Sequence, residues 1–283
     1  MKKCFIRSVL TACLSLPLVL ASCTPDHDIS DIGSKEASGD CNSVTVSDDA
    51  SQYQPCLPDG TGEWALTFQD EFNGTVLDSS KWCAAPEGAR RDGVWCEELA
   101  FPSGDGELII RTEMRDGKPW SGAIRTYRKF LQAGGYFEIR CVFPSQEGMW
   151  HAFWLMCGSV LSEENGSTDG IEIDIMEYLP ALGGVNLAVH WDGYGSAHKS
   201  DNSFIEDAVF ADGYHTFGMM WDSDGYTFYI DSVKVWNTKA DGVCTSPGYM
   251  KLTTEVGEWG GSVDPDSLPA DWKIDYVRVY EHK

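Results

Sequence analysis

One nine-residue stretch, Gly170-Ile171-Glu172-Ile173-Asp174-Ile175-Met176-Glu177-Tyr178, constrains this chain more than any other. Successive side chains of a strand point to opposite faces, so Ile171, Ile173 and Ile175 share one face while Glu172 and Asp174 share the other. Uninterrupted, that alternation sends Glu177 to the apolar side. One extra residue at Ile175-Met176, a β-bulge, restores the phase and turns Glu177 back beside the first two acids, and bulges are over-represented next to active sites. The three acids are embedded among Ile, Met and Tyr rather than Lys, Ser and Thr, which predicts a strand in the middle of a sheet, not a solvated one.

Three carboxylates on one face cannot all ionise freely. Their pKa values are pushed apart, so that one stays charged while another keeps its proton near neutrality. That is what cleavage of a glycosidic bond with retention requires: a nucleophilic carboxylate and an acid/base carboxyl about 5 to 5.5 Å apart, a gap that neighbours on one strand face can span.

From Trp64 onward no long helical periodicity occurs. Short alternating runs recur instead, separated by Gly, Asn and Asp: Glu107 to Thr112, Gly135 to Phe143, Val185 to Trp191, Tyr226 to Ile230 and Trp272 to Tyr280. The pattern predicts one all-β domain over residues 63–283, a two-sheet β-sandwich. Before it, residues 1–22 place Lys2, Lys3 and Arg7 ahead of an apolar run from Leu10 to Leu20, which reads as a secretory signal peptide too short to span a membrane as a mature helix. Leu20-Ala-Ser-Cys23 resembles a bacterial lipobox, making Cys23 the expected lipidation site. The chain is therefore expected to be an exported, membrane-anchored lipoprotein of the periplasm, outer membrane or cell surface. Residues 23–62, rich in Asp, Ser, Gly and Thr, read as a tether.

Seven of the ten cysteines follow Cys23, so at least one is unpaired if bridges stay within the chain. Cys41 with Cys56, and Cys83 with Cys96, are the expected bridges of an exported protein. Alternation puts Cys141 with Phe137, Ile139 and Phe143, and Cys157 with Phe153 and Leu155, as buried small hydrophobes. No Cys-x-x-Cys or paired-His spacing marks a zinc site. Removing the leader's three cations leaves a formal charge of 18 − 44 = −26. That balance excludes nucleic acid as a partner and disfavours polyanions.

Glu172-Ile-Asp-Ile-Met-Glu177 resembles the E-x-D-x-x-E signature of glycoside hydrolase family 16, the laminarinase and lichenase family. Further blocks fall in that family's order: Asp70-Glu-Phe-Asn-Gly74, Gly135-Tyr-Phe-Glu-Ile-Arg140, Gly148-Met-Trp-His-Ala-Phe-Trp154, Tyr214-His-Thr-Phe-Gly218, Phe228-Tyr-Ile-Asp231 and Ile274-Asp-Tyr-Val-Arg-Val-Tyr280. The resemblance implies a β-jelly roll with a substrate groove across its concave sheet, and a monomer that needs no catalytic cofactor. It makes Glu172 the nucleophile, Asp174 its support and Glu177 the acid/base. It also implies a structural Ca²⁺ near Asp275, Gly106 and Glu71, and places Arg125 in the glycone-side wall. The implied substrate is a β-linked polysaccharide, first a β-1,3- or mixed-linkage glucan. An endo-β-galactosidase or galactanase, a transglycosylase and a non-catalytic carbohydrate-binding lipoprotein remain as alternatives.

Sugar rings present apolar C–H faces that flat aromatics stack against. Alternation puts Trp150, Ala152, Trp154 and Met156 on one face, which makes Trp150 and Trp154 the leading candidates for subsites. Trp95, Trp191 and Tyr194 fall at loops or strand ends where further subsites form. His190 either hydrogen-bonds sugar hydroxyls or satisfies a buried neighbour. Glu255 reads as an exposed edge-strand residue, or else as another cleft acid.

Overall fold

A computed structural model describes residues 53–58, 62–206 and 212–283. The leader, Cys23, Cys41 and most of the tether lie outside the described residues. Eighteen strands occur among those described. The first nine are β1 (Trp64–Asp70), β2 (Cys83–Ala84), β3 (Gly88–Arg90), β4 (Gly93–Trp95), β5 (Ala100–Pro102), β6 (Leu108–Arg115), β7 (Lys118–Ser121), β8 (Ala123–Arg125) and β9 (Gly135–Val142). The rest are β10 (Met149–Gly158), β11 (Gly170–Leu179), β12 (Gly184–Trp191), β13 (Lys199–Glu206), β14 (His215–Asp222), β15 (Gly225–Ile230), β16 (Val233–Thr238), β17 (Gly248–Val256) and β18 (Ala270–His282).

They form the two-sheet sandwich that the alternating runs predict. One sheet has seven strands in the order β13-β12-β11-β10-β17-β8-β2. The other has eleven: β16-β15-β14-β9-β18-β6-β7-β4-β3 is its main path, with β1 on β18 and β5 on β6. All pairs are antiparallel except β4 with β7. Period-2 patterning supplies the core. Phe153, Leu155, Ile171, Ile173, Val185, Leu187 and Leu252 face inward from the seven-stranded sheet, and Phe137, Ile139, Phe217, Met219, Val277 and Val279 face them from the other. At about 25 cal/mol per Å² of apolar surface, this layer is the main stabilising term of the fold.

β11 is interior, flanked by β10 and β12, and it carries the bulge. Phe153 pairs with Met176 and Trp154 with Asp174, so Ile175 is passed over. On the other side Asp174 pairs with Ala188 and Glu177 with Asn186, leaving Leu187 alone opposite Ile175 and Met176. Both bulge side chains enter the core, Ile175 at 1% and Met176 at 0% exposure. Two consecutive residues pointing inward are what return Glu177 to the outer face.

Two expectations need correction. The chain joins the fold before residue 63: the Cys56 N–H donates to Glu138 Oε2 (2.6 Å), the Tyr136 hydroxyl donates to the Cys56 carbonyl (3.2 Å), and Tyr53 lies under the Arg278 guanidinium (4.4 Å). Cys83 and Cys96 are free thiols, not a bridge. Cys83 belongs to the seven-stranded sheet, where its thiol points at the Arg125 and Tyr127 carbonyls, whereas Cys96 follows β4 of the other sheet and packs beside Arg115. Cys141 and Cys157 are fully buried, as their alternation predicts.

Candidate active site

The outer face of the seven-stranded sheet carries the three acids. Glu172 and Asp174 are 5% and 4% exposed, and Glu177 is partly exposed. Register builds rows across the strands around them. Arg125, Lys251, Trp154, Asp174 and Ala188 lie in one row; Thr253, Ala152, Glu177 and Asn186 form the next; Tyr249, Met156, Glu172 and His190 stand on the other side.

Each acid has its own partners. Glu172 accepts from the Tyr194 hydroxyl at 2.5 Å. Asp174 Oδ2 lies 3.3 Å from His190 Nε2. Glu177 Oε2 accepts from Asn186 Nδ2 at 2.9 Å, and Asn186 in turn accepts from Asn202 at 3.3 Å. Tyr194 is delivered by the loop after β12, in which Asp192 (φ +58°) and Gly193 (φ +72°) adopt the left-handed region. The Gly193 N–H donates to the Val160 carbonyl (2.8 Å), and Lys199 pairs with Asp192 at 2.9 Å, so the loop is pinned at its base. The same loop brings His198 against His190, rings 14° from parallel, with Nε2 3.0 Å from Nδ1.

These surroundings divide the acids into unlike roles. Burial, then the charge of Asp174, pushes Glu172 up to about 7, while His190, the Tyr194 hydroxyl and Lys251 pull the other way by favouring its carboxylate. Burial, then Asp174, raises Glu177 well above the ordinary range, with Glu172 adding to the rise and Asn186 and His190 opposing it. Glu177 therefore holds the proton and Glu172 is the group that ionises first. Burial alone favours a neutral His190, but the hydrogen bond and charge of Asp174, helped by Glu172 and Glu177, outweigh it and raise His190 to about 9. The charge of His190 in turn lowers the pKa of Glu172 and of Glu177, offsetting part of the carboxyls' mutual repulsion. His190 thus serves a buried neighbour.

One consequence is testable at Tyr194. Its hydroxyl stabilises the charged form of Glu172, so Tyr194→Phe is expected to raise the Glu172 pKa and move the acidic limb of the pH profile of kcat/KM upward. The shift should be about one to two units, since a hydrogen bond to a charged group is worth about 1.5–3 kcal/mol and a unit corresponds to 1.36 kcal/mol. An unmoved acidic limb in the variant would show that Tyr194 does not hold the carboxylate.

The aromatic residues divide differently from expectation. Trp154 lies on the acids' face, its Nε1 donating to Thr253 Oγ1 (3.0 Å), but Lys251 Nζ sits 3.7 Å from its ring centroid. Trp150 shares the face, yet it is 3% exposed under Arg91 (4.9 Å) and packed edge-on to Trp259 (5.5 Å). Trp95 is 2% exposed under Arg90 (4.7 Å), donating to the Thr254 carbonyl (3.0 Å). Trp150 and Trp95 are framework beneath arginines rather than open platforms. Trp191 belongs to the core between the sheets, because alternation along β12 sends it to the face opposite His190. Arg125 is buried against Tyr127 (4.6 Å), with its Nε donating to the Ala84 carbonyl (3.2 Å). Glu255 is neither exposed nor on an edge strand: β17 lies between β10 and β8, and Arg90 (2.8 Å) and Arg91 (2.6 Å) clamp its two oxygens.

Lys251, Asn186 and His198 were not singled out by sequence reasoning. Asn186 was findable, since it shares its phase on β12 with His190. His198 carried no such signal, because it reaches the site through a loop. Lys251 is fully buried, the one cation on this strand facing Trp154 and the acids.

Of the expected calcium ligands Asp275, Gly106 and Glu71, the two carboxylates are ion-paired. Both Glu71 oxygens accept from Arg278 (2.8 Å each), and one oxygen of the partly exposed Asp275 pairs with Arg140. Among the described residues, the group of His, Cys, Asp or Glu ligand atoms close enough to hold a metal is Glu172, Asp174 and His190, within 4.8 Å of one another. Those atoms already satisfy one another and Tyr194, an arrangement suited to sharing protons.

Comparison with known proteins follows the same outline. The family described as glycosyl hydrolases family 16 matches residues 97–278. The chain is 28% identical over 261 residues to the glucan endo-1,3-beta-glucosidase A1 of Niallia circulans, covering 77% of this chain and 38% of that protein. It is 27% identical over 237 residues to the keratan-sulfate endo-1,4-beta-galactosidase of Sphingobacterium multivorum, covering 78% and 56%. The chain thus spans about half or less of these relatives' length. The crystal structure of a laminarinase from Flavobacterium sp. UMI-01 superposes with a TM-score of 0.65 at 26% identity, covering 76% of this chain and all of that one.

Proposed function

Because the chain belongs to the glycosyl hydrolases of family 16, we propose that it is a retaining endo-glycosidase of β-linked polysaccharide, with β-1,3- or mixed-linkage β-glucan as its substrate. The observation that carries this reading is the bulge at Ile175-Met176. It puts Glu177, whose proton is favoured by desolvation and by the charge of Asp174, on one face with a Glu172 whose carboxylate is favoured by the Tyr194 hydroxyl and by the charges of His190 and Lys251. Glu172 attacks the anomeric carbon while Glu177 protonates the leaving oxygen. Water then enters with Glu177 as base, and the glycosyl–Glu172 bond breaks. Asp174 and His190 hold the charge balance between them. The glucan assignment draws on the relatives named above and on the strongly negative chain, which favours a neutral polymer.

A second reading, an endo-β-galactosidase acting on a host or algal glycan, is favoured by one specific observation. Lys251 and Arg125 stand in the row beside Trp154, and Lys251 covers an indole face that a glucan subsite would use. Product analysis on laminarin, lichenan, agarose, xyloglucan, keratan sulfate and mucin glycans separates the two. Oligosaccharides from laminarin or lichenan support the glucan reading, and cleavage confined to galactose-containing polymers replaces it. Products longer than the substrate would indicate transglycosylation, and binding without any release would indicate a non-catalytic binder. In the same reading Cys23 carries the lipid anchor. Cys23→Ser should then release the protein from membranes with activity unchanged, and retention of the variant would reject the anchor.

A further inference from the structure

Two buried thiols take no part in the chemistry above. Cys157 ends β10 on the inward face and is fully buried, while Cys244 lies in the loop between β16 and β17 at 2% exposure. Both are free thiols in this structure, and they belong to one core cluster in which each thiol acts on the other's ionisation. Neither is free to drift. Cys157 is held in the ladder opposite Ile171 and Gly248. The Cys244 N–H donates to the Tyr226 hydroxyl (2.8 Å), its carbonyl accepts from Trp221 Nε1 (3.1 Å), and the next two residues are tied to Thr168 (3.2 Å) and Asp169 (2.9 Å). A second observation concerns the space around the sulfur. A Cβ on Gly248 would stand 2.4 Å from Cys157 Sγ, so the absent side chain at Gly248 leaves the room this sulfur occupies. Gly248 needs no left-handed backbone, which leaves that close approach as the physical reason for glycine there.

We propose that Cys157 and Cys244 are a disulfide site, closed by a disulfide oxidant of the thiol–disulfide oxidoreductase or oxidised-glutathione class. One cysteine, as thiolate, attacks the oxidant's S–S bond and forms a mixed disulfide. That first exchange expels one of the oxidant's sulfurs; the other cysteine then attacks the protein cysteine's sulfur in the mixed disulfide, makes the Cys157–Cys244 bond and expels the oxidant's second sulfur. The two thiol protons end on the oxidant's two sulfurs, which leave as thiols, the oxidant reduced by two electrons. Burial places this step during folding, before the loop closes over β10. The bond ties the end of β10 to the loop that feeds β17, the two strands that carry Trp154 and Lys251 beside the acids. It constrains the unfolded chain without touching the reacting groups.

The test is thiol mapping of the full chain refolded in a mixture of oxidised and reduced glutathione. The protein is unfolded in guanidinium with iodoacetamide and no reductant, then digested and analysed by mass spectrometry. A peptide linking Cys157 to Cys244 is expected. A phosphine reductant should then lower Tm by several degrees in the wild type and leave Tm unchanged in the Cys157→Ala/Cys244→Ala variant, with initial rates at 25 °C the same before and after reduction. Alkylation of both cysteines after oxidative refolding, or linkage of either to a different cysteine, overturns the proposal. The mapping decides on the wild type alone, so it stands even where the double variant fails to fold.

Discussion

Glu172→Gln and Glu177→Gln are each expected to lose nearly all turnover on polysaccharide. The nucleophile's loss should be on the order of 10⁴-fold or more, and the acid/base loss about 10²- to 10⁴-fold. Asp174→Asn should lose a smaller share, because it acts by holding His190 and favouring the proton on Glu177 rather than by forming or breaking a bond. The two glutamates are distinguished by what replaces them. With a substrate bearing a good leaving group, Glu177→Ala still forms the glycosyl–enzyme bond, and added azide, which needs no base, opens it to the β-azide. Glu172→Ala instead leaves a space on the face where the nucleophile stood, and azide entering there gives the α-azide. Proton NMR of the products reads both outcomes. Inversion by the wild type, or the opposite pattern of azides, would falsify the assignment of the two residues.

Deletion of Ile175 and Met176 together is expected to damage both fold and function. Asp174 is then followed directly by Glu177, which alternation turns into the core opposite Leu187, and two core side chains are lost. An uncompensated buried carboxylate costs about 3–5 kcal/mol, a large fraction of a domain's stability. The urea midpoint should fall sharply and activity should vanish. The companion variant, both residues deleted with Glu177→Leu, separates the two effects. It should recover part of the midpoint while staying inactive, since its inward residue is now apolar and its acid/base is gone. Deletion of Ile175 alone is the control: Met176 fills the single inward place and Glu177 stays on the outer face, opposite Asn186. Activity surviving the double deletion would mean that Glu177 reaches the outer face without the bulge.

Both results turn on a feature readable before any coordinates. Ile171 to Ile175 alternate, Glu177 falls out of phase, and only a bulge reconciles the two, so β11, its interior position and the shared face of the acids follow from local sequence alone. The same period-2 logic correctly divides Phe153 and Leu155 from Trp154 and Met156. It also assigns Cys141 and Cys157 to the core. Strand faces are legible because pleating is a local, geometric rule.

What lies above a face is a different matter. Trp150 and Trp95 are on or beside the cleft sheet, but Arg90 and Arg91, far from Trp150 in the chain, roof them and clamp Glu255. Trp191 is the exception, since alternation along β12 alone sends it to the core, opposite His190, rather than to a subsite. Glu71 and Asp275, read as cation ligands, are neutralised by Arg278 and Arg140, which are adjacent only after β1, β9 and β18 have paired. The Cys83–Cys96 bridge fails for the same reason, since short separation along the chain places the two residues in different sheets.

The sequence by itself determined the all-β class, the acid-bearing strand, its bulge and the identity of the three carboxyls. All of these rest on side-chain alternation and on residue chemistry within a few positions. Only the tertiary structure decided which acid keeps its proton, because that depends on Tyr194, His190, Asn186 and Lys251, contributed by three different segments. Electrostatic effects act through space across a few ångströms, and long-range pairing alone sets which groups come that close.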